Sequence, residues 1–75
     1  MKITSIKNKN TNIDVCSHYL HKELDMSKTV IIVNNPLLVV YEKGSFFNHE
    51  KVINVEHLEN GSVKVETQNK IWVIQ

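Results

Sequence analysis

Val52-Ile53-Asn54-Val55-Glu56-His57-Leu58-Glu59-Asn60-Gly61-Ser62-Val63-Lys64-Val65-Glu66-Thr67 is the stretch on which the fold turns. Two runs of alternating character flank Asn60-Gly61, and Asn-Gly in that setting is the strongest short-range hairpin signal. The facing pairs select the register. A two-residue loop sets Glu56 opposite Val65 and His57 opposite Lys64. A three-residue loop, with Gly61 left-handed, sets Val55 opposite Val65 and Glu56 opposite Lys64. The second is favoured on both faces, because β-branched pairs and opposite charges each stabilise facing positions.

Toward the C-terminus, a turn at Gln68-Asn69 brings back Lys70–Ile74, setting Trp72 beside Val65 and Ile74 beside Val63. Ile53, Val55, Val63, Val65, Trp72 and Ile74 then form one core face, with His57 at its rim. Toward the N-terminus come a polar corner, Asn48-His49-Glu50, the pair Phe46-Phe47 and a turn at Lys43-Gly44. Residues 30–33 and 37–41 are continuous β-branched-rich runs joined through Asn34-Asn35-Pro36. Proline donates no hydrogen bond to a ladder, so Pro36 belongs in that turn. Residues 2–6 make a short strand and 7–12 a polar loop.

Residues 13–24 predict a helix. Ile13, Cys16, Leu20 and Leu24 recur at helical spacing, and Thr11 with Asp14 resembles a capping box. Ile13, Val15, Ser17 and Tyr19 also alternate, which is the competing strand reading. With the helix, the fold class is α+β, mainly β. One N-terminal amphipathic helix packs on a strongly bent antiparallel sheet, or small SH3-like barrel, of five to six short strands. The order of elements is similar to that of Sm-like RNA-binding barrels, whose glycine signatures are absent.

The chain has 75 residues, enough for one domain spanning 1–75. Cys16 is its only cysteine, so no internal disulfide or cysteine-based zinc site is available. A lone thiol with no export signal and no apolar spanning segment reads as cytoplasmic, with no membrane partner. Nine Lys, nine Asn and eight Ile stand against no Arg and no Ala. That codon bias implies an AT-rich genome, a low-GC bacterium or one of its phages. Without arginine the chain lacks a bidentate grip on phosphate. Its formal net charge of +1 falls short of a nucleic-acid binder's basic footprint.

Candidate chemistry is sparse. Asp14, His18, His21 and Asp25 fall on one face of the expected helix and could ligate Zn²⁺ or another divalent ion. An ordinary solvated face of an amphipathic helix accounts for them better, so no metal or other cofactor is assigned. Cys16 points into the apolar stripe rather than toward His18. The two glycines, Gly44 and Gly61, lie in turns, which excludes a phosphate-binding loop. No pair of carboxylates stands out as acid and base, and no enzyme activity is expected.

The remaining oddity is apolar excess. Val30, Ile32, Leu38, Val40, Ile71 and Val73 place large residues on a second strand face, as in sheets covered on both sides. The sequence therefore predicts a non-catalytic protein-binding module, acting as a homodimer or as a small inhibitor or adaptor of another protein. The alternative is a small β-barrel that binds nucleic acid weakly through Lys2, Lys7 and Lys9 with Phe46 and Phe47 as stacking platforms.

Overall fold

In a computed structural model describing residues 1–75, the hairpin forms with Val55 facing Val65 and Glu56 facing Lys64. Gly61 takes φ 85° and donates its N–H to Leu58 O at 3.0 Å. The Asn60 side chain accepts from Ser62 N at 3.0 Å and Ser62 Oγ at 2.6 Å, closing the turn. Beyond its two chain neighbours, nothing lies within 4 Å of where a Gly61 Cβ would stand, so the cost of a side chain there is backbone strain. Gly61→Ala is expected to destabilise the fold by about 1 kcal/mol, lowering Tm by roughly 4–8 °C in a thermal melt.

The strands are β1 (Ile3–Asn8), β2 (Pro36–Val40), β3 (Phe46–His57), β4 (Val63–Thr67) and β5 (Lys70–Ile74). They form one antiparallel sheet in the order β1-β5-β4-β3-β2, curled into a half-barrel. Trp72 faces Val65 and Ile74 faces Val63, as the hairpin register requires. Trp72, Val65, Ile74, Ile3, Leu37 and Val39 lose essentially all solvent contact in the core.

Two irregularities bend β3 and alter which of its residues face inward. Val52 faces Thr67 while Asn54 faces Glu66, so Ile53 is an extra residue. Such a bulge reverses the inside–outside parity of the strand. Val52 is therefore fully buried, and Ile53, expected in the core, is 43% exposed. Upstream, Pro36 faces Lys51 whereas Leu38 faces Asn48, so β3 again advances one residue more than its partner. Asn48-His49-Glu50 is thus not a corner between elements but the interior of a 12-residue strand.

The α+β expectation is overturned: residues 13–24 contain no α-helix, only a 3₁₀ turn at Ser17–Tyr19. Asn12, Cys16 and His21 have φ of 59°, 54° and 66°, each incompatible with a continuing right-handed helix. What wins is the need of β1 for a second backbone partner. Val15 N–H donates to Ile6 O at 2.9 Å, His21 N–H to Ile3 O at 2.9 Å and Leu24 N–H to Met1 O at 2.8 Å. On the other side Asp25 N–H donates to Val40 O at 2.8 Å. The segment therefore bridges the gap between β1 and β2, where a helix would leave both edges bare. An isolated helix of about 12 residues is marginal in water, so tertiary hydrogen bonding decides. The strand reading of 13–19 does not hold either: Val15 and Tyr19 pack on the core, but so do Cys16 and Leu20, and Ile13 is 62% exposed.

Residues 30–33 likewise do not form a strand. Val30 pairs singly with Leu38, and a left-handed Asn34 (φ 74°) then turns the chain, leaving Ile32 54% and Val33 44% exposed. No helix is long and apolar enough to cross a membrane.

Candidate docking edge on strand β3

The bend in β3 divides its hydrogen bonding. Its first half pairs with β2 and its second half, from Val52 onward, with β4. On the β2 side the last contacts are Val52 N–H to Asn35 O and Asn34 N–H to Val52 O, both 2.9 Å. Residues 53–57 bond to β4 alone, leaving their outer edge open. Leu58 N–H donates to Ser62 O at 2.9 Å, which marks Leu58 as turned toward the hairpin partner. Amide direction alternates along a strand, so Val55 and His57 present N–H and C=O to solvent. Ile53 and the exposed Ile32 and Val33 lie at one end of this open run. Unpaired backbone beside exposed aliphatic side chains is a template for another strand.

Behind the strand's first half sits an aromatic cluster that the sequence pattern did not reveal. Phe47 stacks on Tyr19 at 4.0 Å between ring centroids, and His49 meets Trp72 edge-on at 4.8 Å. Burial lowers the His49 pKa below the usual imidazole range, with Lys70 adding to the effect and Glu50 opposing it. Its Nδ1 is buried without a hydrogen-bond partner. Beside it Trp72 Nε1–H donates to Thr67 Oγ1 at 3.0 Å, and Thr67 Oγ1–H donates to Glu50 Oε1 at 2.6 Å. His49 follows the inward Phe47 by two residues on one strand, so simple alternation turns both inward; reading 48–50 as a corner hides that alternation.

The candidate metal ligands are not brought together. Asp14 pairs with Lys7 at 3.1 Å, and His18 packs on Tyr19 at 4.0 Å between centroids. Asp25 accepts from Ser27 Oγ at 2.6 Å, and that bond holds its carboxyl below the usual range against the opposing effect of burial. With the helix gone, the shared face of Asp14, His18, His21 and Asp25 goes too.

The candidate nucleic-acid residues are also dispersed. Lys2 lies 3.6 Å from Glu23, Lys7 is held by Asp14, and Lys9 donates to Glu66 at 2.7 Å. Each of the three lysines thus already faces a carboxylate. Phe47 is packed inside, whereas Phe46 is 67% exposed.

The six interface candidates divide between separate places. Leu38 and Val40 face Asn48 and Phe46 on the β2 side, with Val30 bridged to Leu38. Ile71 and Val73 lie across the sheet on β5, in a shallow groove shared with Ser5, Lys7, Lys64 and Glu66. All five are partly buried, and only Ile32 joins the open edge of β3.

Comparison with family models, curated proteins and solved structures returned no match. The functional reading accordingly rests on the geometry of the chain alone.

Proposed function

We propose that this chain is a non-catalytic protein-binding module that receives a partner strand on the open edge of β3. One observation carries the reading: residues 53–57 offer unpaired backbone beside exposed Ile53, Ile32 and Val33. Backbone pairing supplies affinity in such strand addition, and pockets for alternate side chains supply selectivity. A cytoplasmic inhibitor or adaptor encoded by a low-GC bacterium or its phage is the setting that the composition supports. Nucleic-acid binding has weaker support, because Lys2, Lys7 and Lys9 would each have to leave a carboxylate before gripping phosphate.

Ile53→Lys combined with His57→Pro tests the reading. Both side chains are exposed, and the His57 N–H points away from β4, so the proline removes an edge donor without breaking the hairpin ladder. The double variant is expected to keep the wild-type circular dichroism spectrum and to lose the proteins that the wild type retains from a cell lysate. Undiminished capture by the folded variant would overturn the proposal.

A further inference from the structure

Resting on that reading, we infer that the strand received by β3 is the same strand of a second copy of this chain. Two copies related by a two-fold axis must pair their edges antiparallel, and few registers are then open. An axis through Asn54 would set His57 against Lys51 of the second copy, but the outer side of Lys51 is already occupied by Pro36. An axis through Glu56 would oppose two glutamates, which destabilises a facing pair. An axis through Val55 has neither fault. It uses the whole open run, sets Val55 against Val55, Asn54 against Glu56 and Ile53 against His57, and brings no like charges together. The outward amides of Val55 and His57 then find partners. Ile53, Ile32 and Val33 at one end of the run come to lie beside the hairpin end of the second copy. The product is one continuous sheet through two half-barrels.

This register makes a signed prediction at Asn54, an exposed position that leaves the core untouched. Asn54→Lys would face Glu56 of the second copy twice per dimer, and Asn54→Glu would oppose it twice. Sedimentation equilibrium is expected to show a wild-type dimer, with Kd lowered roughly three- to tenfold in Asn54→Lys and raised by a similar factor in Asn54→Glu. Amide exchange at Val55 and His57 should slow with protein concentration in step with dimer formation. Thermal melts of the dilute monomers control for any change in folding. A dimer indifferent to both variants, or one that leaves Val55 and His57 exchanging freely, uses another face and overturns the inference. A chain that stays monomeric to near-millimolar concentration overturns it too. If such a monomer still loses its captured protein through Ile53→Lys/His57→Pro, the docking reading stands. If capture is unchanged as well, both readings fall.

Discussion

Truncation of Trp72 to Ala is expected to leave most of the protein unfolded at room temperature. Trp72 is fully buried, faces Val65 and Ile6 on the neighbouring strands, and lies 6.2 Å from Phe47 and 4.8 Å from His49 between ring centroids. Replacing a core Trp with Ala costs about 3–5 kcal/mol through lost burial and the cavity left behind. Its Nε1–H also holds Thr67 Oγ1, within a buried set of hydrogen bonds. A single core in a domain this small rarely supplies more than about 3–5 kcal/mol, so one such change removes about all of it. Far-UV circular dichroism and dispersion of amide resonances report the outcome. Trp72→Phe, which retains an aromatic ring and loses only the indole donor, should remain folded with a depressed Tm. A cooperative Ala variant melting within a few degrees of the wild type would contradict the assignment of Trp72 as the centre of the core.

The second large effect is expected on acidification. Glu50 keeps only 15% of its side-chain surface exposed and accepts from Thr67 Oγ1 at 2.6 Å, Asn69 N at 2.7 Å and Asn69 Nδ2 at 3.0 Å. Burial alone would raise its pKa, but the Thr67 and Asn69 donors, helped by Lys70, outweigh burial and hold it below the usual carboxylate range. A carboxylate with a lowered folded pKa stabilises above its unfolded value of about 4.3, and that stability is lost as the pH falls through the folded value. His49 acts earlier. Its folded pKa is lowered by burial, so the unfolded chain takes up its proton first as the pH drops below about 6.5. Urea midpoints between about pH 8 and pH 3 should therefore fall in two steps, spanning the unfolded histidine and glutamate ranges. His49→Phe should erase the upper step. Glu50→Ala should erase the lower one and cost about 2–3 kcal/mol at neutral pH, the scale of hydrogen bonds to a charged group. A profile flat between about pH 8 and pH 5 would contradict the role of His49, and one with no further loss down to about pH 3 would contradict that of Glu50.

The hairpin was legible because it is local. Asn60-Gly61 specifies its own turn, and the pairs Val55–Val65 and Glu56–Lys64 specify the register without reference to the rest of the chain. Trp72 and Ile74 followed from that register because β4 and β5 are joined by a short turn. The strand before the hairpin was not legible, since two extra residues in β3 shift which side chains face inward. Ile53 and Val52 exchange places for that reason, whereas His49 faces Trp72 by ordinary alternation with Phe47 and was hidden by the reading of 48–50 as a corner. A bulge is chosen by the curvature of the whole sheet, which a local pattern does not carry. Residues 13–24 were misread for a related reason. Helical spacing of Ile13, Cys16, Leu20 and Leu24 is genuine, yet β1 and β2 need backbone partners that only an extended, kinked segment provides. The open edge was missed because unpaired amides have no side-chain signature. Ile32 alone pointed to it.

The pairing of β1 with β5 bears on how fast the chain folds. Ile3 lies opposite Ile74 and Lys7 opposite Ile71, so the contact that buries Ile3 and Ile6 joins segments almost the full sequence apart. Closing so large a loop costs entropy before any contact compensates, and sheets dominated by distant pairings fold in milliseconds to seconds rather than microseconds. During synthesis β1 emerges first and must wait for β5, its partner, to leave the ribosome. In that interval the β3–β4 hairpin is the part of the domain able to organise early, since its register needs nothing from either end.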